Sequence, residues 1–317
     1  MSELKIRWRL YCDDEKEPTT RQRGVNVYRQ LQQLGFDADK WDGREAADII
    51  VLQYSMRLLD EALATGATVV ADINDQVFAK HHAYHQETMA GLARVHAVVA
   101  GSPRLGQNLQ RLHPTVRVIE EAVDGRYLAV ERKKHQGLNV VWMGMHDNIM
   151  YFREIDPALE ELAKKHDFTV HFVCPPNDGF GKSNADKVKT KPYPAQFHAW
   201  TMDDLLEQMA VADLAVVPLF QQEWTWCKCA NKMLSFMAAG LPVVASRVPS
   251  YVAVAEPGTD SFLAYSPEEW YAALDQLFSD SGLRSRIGKR ARLKARQYSI
   301  ERIADQWVDY FRQVGPK

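Results

Sequence analysis

The chain has 317 residues, 46% of them hydrophobic and 25% charged, with a net charge of −2. Single hydrophobic cores rarely grow past about 250 to 300 residues, so two domains are expected. The near-neutral balance leaves no global basic field, which argues against tight, sequence-independent binding of nucleic acid. The four cysteines (Cys12, Cys174, Cys227, Cys229) have no paired metal-site spacing and are expected as free thiols in a reducing compartment. The opening MSELKIRWRLY lacks a signal-peptide apolar run, and no window approaches about 18 consecutive apolar residues. A soluble, cytoplasmic protein without a transmembrane segment is the expectation.

Short apolar runs alternate with helical periodicity, the pattern of parallel sheets with crossover helices. In the first half the spacing predicts strands at residues 6–11, 48–52, 68–73, 97–100 and 117–119, with helices near 25–34, 58–64, 85–94 and 103–112. The charged stretch 131–136 then precedes a fresh start, LNVVWMG, like the first strand and glycine turn of a second Rossmann-like unit. Strands follow at 139–143, 169–173, 214–217, 242–245 and 262–264, and helices at 155–166, 202–210, 231–239, 267–279, 283–296 and 300–314. Residues 175–194, rich in Gly, Pro, Asn, Asp and Lys, read as a long exposed loop. Domains are expected at 1–136 and 137–298, with 299–317 as a final helix.

The most informative stretch is KCANKMLSFMAAGLPVVAS, residues 228–246: a short helix closed by Gly240 and followed by a buried-strand pattern. Lys228 and Lys232 lie four apart around the helix start, where unpaired N–H groups and the helix dipole favour an anion. The pair reads as a diphosphate cradle, or as solvated lysines of an ordinary surface helix. The HHAYH cluster puts His81 and His85 one helical turn apart. It lacks a convincingly spaced third ligand beyond Glu87, so acceptor contact or plain surface is expected there and no metal site.

The 228–246 segment resembles the donor-binding signature of GT-B glycosyltransferases of the bacterial family 4 type, K-S-x-x-K-x-x-E-(aromatic)-x-A-x-G-x-P-V-V-A-S. Lys228, Lys232, Phe236, Ala238, Gly240 and the run Pro242 to Ser246 match, while Cys229 replaces the Ser and Ser235 the Glu. The stretches TTRQRGVNVYRQLQQLG, GATVVADINDQVF, VVWMGMHDNIMYFREIDPALEELAKKH, ADLAVVPL and SPEEWYAALDQLFSDSGLRSRIGKRAR are similar to family segments in the same order. The resemblance implies an α/β chain of GT-B fold, two Rossmann-like parallel-sheet domains facing across a cleft, with the C-terminal helix crossing back to the first. It also implies transfer of a sugar from a nucleoside-diphosphate sugar, UDP- or GDP-linked, to an acceptor hydroxyl, with retention, without metal and without a permanently bound cofactor.

Such a transfer must neutralise the departing diphosphate and present the acceptor while excluding water. Lys228 and Lys232 are the expected cations, and Gly144 would let the backbone approach the phosphates, with His146 adding a hydrogen bond. Ser235 would face the donor, and Glu223 is the nearest carboxylate able to take over the role of the missing Glu. Arg21 and Arg23 lie on the loop that enters the first helix, with Arg23 expected near the donor phosphates and Arg21 near a charged acceptor, or both as solvated loop residues. Asp72 and Asp75, at the carboxyl end of a strand, are placed to orient or deprotonate the acceptor; Asp75 could equally build a turn. The acceptor stays open among glycan, small molecule, protein and a modified DNA base. A nucleotide-sugar epimerase and a catalytically degenerate sugar-nucleotide binder are the alternatives.

Overall fold

The computed structural model describes residues 4–15 and 17–315. They group into two compact units, one of residues 4–122, 226–230 and 298–315, the other of 123–225 and 231–297. The division therefore falls between Ala122 and Val123, ahead of the 136/137 boundary expected from composition. The reason is hydrogen bonding of the intervening segment within the second unit. The Lys133 amide donates to the Ala210 carbonyl (2.9 Å), Arg132 donates to the Met209 and Ala212 carbonyls, and Arg292 donates to those of Leu128 and Val130.

The first unit is built on β1 (Lys5–Arg9), β2 (Asp37–Lys40), β3 (Ile49–Gln53), β4 (Thr68–Ile73), β5 (Ala97–Ala100) and β6 (Val116–Val118). They form one parallel sheet in the order β2-β1-β3-β4-β5-β6. β3 and β5 are apolar on both faces, as parallel sheets covered on both sides require, whereas β1 turns the buried Arg7 to one face. β2 escaped the sequence pattern because it is an edge strand, DADK, with only Ala38 buried. One face is closed by the Ile300–Val314 helix, whose buried stripe Ile303, Ala304, Trp307, Val308 and Phe311 recurs at helical spacing. The Trp8 ring meets Trp307 at 5.9 Å and Phe311 at 5.6 Å, both edge-on. Each such pair adds roughly 0.5–1.5 kcal/mol beyond area burial.

The opposite face carries the Leu59–Ala64, His85–Leu92 and Pro103–Leu109 helices. Pro103–Leu109 starts where Ser102 accepts from the Leu105 amide, with Pro103 in the first turn. The same Ser102 hydroxyl donates to the Cys227 carbonyl (2.7 Å), and the Cys227 side chain is fully buried in this apolar layer. This explains how residues 226–230 come to belong to the first unit.

The second unit comprises β7 (Leu138–Met143), β8 (Phe168–Cys174), β9 (Ala195–Ala199), β10 (Leu214–Val217), β11 (Val243–Ser246) and β12 (Phe262–Ala264). All pair in parallel, in the order β12-β11-β10-β7-β8-β9. β9 is again an unexpected edge strand, half-buried and without a clear apolar alternation. The stretch expected as a long loop contains a helix, Asn184–Lys189, started by Ser183 accepting from the Asp186 amide. Strand order reverses direction between β1 and β3 in the first unit and between β7 and β10 in the second. In open parallel sheets the crevice at the carboxyl ends beside such a reversal is where ligands bind.

Candidate functional site

At the carboxyl edge of the first sheet the chain leaves β1 and β3 with two tyrosines side by side. The Tyr11 amide donates to Gln53 Oε1 (2.9 Å), and the Tyr11 and Tyr54 rings lie 4.6 Å apart. Arg21 and Arg23 sit in a π-helical turn, Thr20–Val25, rather than on an open loop. Arg23 is 2% exposed and Asp72 is 1% exposed. Arg23 Nε donates to both Asp72 carboxylate oxygens (3.1 and 3.0 Å), one terminal nitrogen donates to Oδ1 (2.5 Å) and the other to the Ile119 carbonyl (2.9 Å). Burial works against the Arg23 charge, but the Asp72 carboxylate outweighs it and raises the guanidinium's hold on its proton. The geometry thus corrects two expectations. Asp72 is committed to Arg23 and offers no solvent-facing base, and Arg23 is enclosed in the fold rather than offered to donor phosphates.

Two acidic residues that sequence reasoning passed over follow β6. Glu121 is buried and accepts from Asn74 Nδ2 (3.2 Å), while Glu120 Oε2 is buried with no hydrogen-bond partner. Burial, with Glu121 as a lesser contributor and Arg23 opposing, raises the Glu120 carboxyl to about 7. An adjacent Glu pair after a short strand reads as a solvated turn, so no sequence signal singles it out.

Asp75 is half-buried, accepts from the Gln76 amide (2.8 Å) and faces Lys228 Nζ at 3.6 Å. The turn-building reading and the ionic reading of Asp75 both hold. Lys228 reaches it because Cys227 is anchored on Ser102 and Asn108, whose Nδ2 lies 3.4 Å from Cys227 Sγ. His81 is exposed in a turn, and the helix begins only at His85, whose Nδ1 pairs with the Phe78 carbonyl (2.6 Å). The expected one-turn spacing of His81 and His85 on a shared helical face is therefore corrected. It is His82 that meets the tyrosine edge, 3.5 Å from the Tyr54 hydroxyl. Among the described residues no three His, Cys, Asp or Glu side chains are grouped to hold a metal.

In the second unit Gly144 follows β7, beside the reversal point. A Cβ there would fall 2.2 Å from Trp142 Cζ2, so the position admits no side chain whatever binds next to it. The His146 side chain lies outside the described residues. After β10, Glu223 opens the short helix Glu223–Trp226, and the Trp224 indole donates to Gln222 Oε1 (2.8 Å) and packs 5.9 Å from Tyr151. Lys232 is half-buried in the first turn of the Asn231–Ala238 helix, where backbone N–H groups lack intrahelical partners. Ser235 turns inward. Its side chain is fully buried and its hydroxyl donates to Asn231 Oδ1 (3.0 Å), one turn back, which corrects its expected donor contact. Of the expected residues, the fold brings together Lys228 with Asp75 and Arg23 with Asp72; Lys228 belongs to the first unit and Lys232 to the second.

Residues 137–280 match the glycosyl transferases group 1 family. A 114-residue stretch is 35% identical to a D-inositol 3-phosphate glycosyltransferase of Corynebacterium urealyticum, and the match spans 35% of this chain and 26% of that protein. In fold the chain is similar to a glycosyltransferase from Rickettsia africae, with a TM-score of 0.73 at 15% identity over 99% of both chains. It is also similar to Anabaena HepE solved with UDP-glucose, with a TM-score of 0.72 at 13% identity over 98% of this chain and 100% of that one. The chain has the GT-B fold of two six-stranded parallel sheets, and its residues 137–280 are similar to the glycosyl transferases group 1 family.

Proposed function

We propose that the protein is a glycosyltransferase that moves a sugar from a nucleoside-diphosphate sugar, UDP- or GDP-linked, to an acceptor hydroxyl. The observation that carries this reading is Lys232 in the first turn of the Asn231–Ala238 helix, inside the segment that matches the family. A cation beside unpaired helix N–H groups suits a diphosphate leaving group. HepE, of the same fold, was solved with UDP-glucose, which supports a uridine donor. In the transfer the acceptor oxygen bonds to the anomeric carbon, the bond to the diphosphate breaks, and the electron pair leaves with the phosphate oxygen. The acceptor proton passes to that oxygen or to a carboxylate. Lys232 neutralises the leaving group, so metal-independent transfer is part of the proposal. Asp75, exposed enough to be reached, orients the acceptor, and Glu223 stands in for the carboxylate absent at Ser235. Retention of configuration rests on the family resemblance alone. No helix among the described residues is long and apolar enough to cross a membrane, and a cytoplasmic location and a glycan, small-molecule, protein or DNA-base acceptor belong to this proposal.

The buried, internally bonded Ser235 favours one second reading, a sugar-nucleotide binder without turnover. The experiment is a thermal-shift panel of UDP-, GDP-, ADP- and dTDP-sugars on wild type and Lys232→Ala, followed by turnover of the labelled hit. Ligand binding to the native state raises Tm by mass action. A shift with one nucleotide class that disappears in the variant, with release of nucleoside diphosphate, supports transfer. Binding without turnover for any acceptor promotes the second reading, and no shift at all sinks both.

A further inference from the structure

The second unit holds another recess, of about 350 Å³, at the opposite edge of its sheet from Gly144. Its walls are the chain just before β10 (Asp213), the turn before β11 (Gly240, Pro242), Arg132, and one face of the Ser281–Ala295 helix. That helix presents Arg284, Ser285, Gly288, Lys289 and Arg292 at spacings of one, three and four residues, a single stripe. It sits close because Gly288 has no side chain: a Cβ there would fall 2.3 Å from the Gly240 carbonyl oxygen. Between Ser281 and Arg296 the sequence has seven Lys or Arg and no Asp or Glu, so the helix supplies no counter-charge of its own.

Three of the cations around the recess donate to neutral carbonyls, and Arg284 also lies 3.5 Å from the Asp213 carboxylate. Arg132 donates to the Met209 and Ala212 carbonyls, Arg292 to those of Leu128 and Val130, and Arg284 to those of Leu277 and Phe278. These bonds orient three guanidiniums without cancelling their charge, and each guanidinium has five N–H donors. Four cationic side chains line the space against one carboxylate, Asp213. That carboxylate is shared among the Asn139 amide (2.9 Å), Arg284 (3.5 Å) and His135 (3.7 Å). Oriented, under-compensated guanidiniums in a concave space match a phosphate group, which they can engage through paired N–H donors.

We propose that this recess binds a small, soluble phosphate-bearing ligand, at a site separate from the carboxyl-edge region assigned to the nucleotide-sugar. The proposal does not depend on glycosyl transfer. The experiment measures thermal stabilisation by inorganic phosphate and by pyrophosphate against chloride at equal ionic strength. It uses wild type, Lys289→Gln, Arg132→Gln and Lys232→Ala, with flotation on phosphatidylglycerol vesicles in parallel. Stabilisation by phosphate or pyrophosphate beyond chloride is expected. It should persist in Lys232→Ala, and the apparent affinity should weaken at least roughly tenfold in Lys289→Gln. Lys289 is exposed, so its variant folds even where Arg132→Gln, which loses two carbonyl contacts, does not. Equal effects of chloride and phosphate overturn the proposal, as does an effect lost in Lys232→Ala but kept in Lys289→Gln. Binding to vesicles with none to soluble phosphates overturns it as well.

Discussion

Arg23 and Asp72 form a two-pronged ion pair sealed inside the first unit, with the guanidinium contacting both carboxylate oxygens and its remaining end donating to the Ile119 carbonyl. The pair joins the π-helical turn to the ends of β4 and β6, the edge that borders Asp75. Removing one partner strands a buried charge, which typically costs about 3–5 kcal/mol. Asp72→Ala and Arg23→Ala are each expected to lose stability of that order in urea unfolding, and the double variant much less than their sum. Additive losses would show that the pair does not act as a unit.

Glu120 predicts a pH dependence. Its carboxyl is raised from 4.5 to about 7 by burial, so between those values the folded state holds a proton that the unfolded chain has released. The contribution is fully present below about pH 4.5 and is lost as pH rises through about 7, up to about 3 kcal/mol at most. Glu120→Gln should flatten that part of the stability profile and be more stable than wild type at pH 8. An unchanged slope in denaturation midpoints from pH 5 to 8 would assign the titration elsewhere.

Gly144→Ala forces a Cβ into the Trp142 ring, 2.2 Å from Cζ2. Overpacking of this kind costs roughly 1–3 kcal/mol. The variant should melt lower and show altered Trp fluorescence, because Trp142 also contacts Phe152 at 5.2 Å and Phe172 at 5.6 Å. A wild-type melting curve would mean that the ring can move aside.

Ser102→Ala removes a helix cap and the donor to the Cys227 carbonyl together. A loss of about 1–3 kcal/mol is expected. Hydrogen exchange at residues 226–230 should rise more than in the sheet, since Lys228 reaches Asp75 through this anchor. Uniform acceleration across the unit would mean that the cap alone matters.

Inner strands were readable from their apolar residues: 68–73, 97–100 and 214–217 stand where periodicity put them, as does the apolar edge strand 262–264. β2 and β9 were not, because an edge strand half in water needs no apolar pattern and takes its conformation from its neighbour's hydrogen bonds. The Asn184–Lys189 helix hid in a stretch of turn-forming residues, where Ser183 serves as its cap.

By itself the sequence determined the alternation of strand and helix, the need for two cores, and the lysine-bearing helix start, since all three follow from local periodicity and spacing. Tertiary structure alone decided which charges are available for chemistry. Asp72 and Asp75 are three residues apart at the end of one strand, yet one is buried against Arg23 and the other is half-open and facing Lys228. Ser235 likewise points into the protein and bonds to Asn231. The field and solvent at a side chain come from residues distant in the chain, and no local pattern records them.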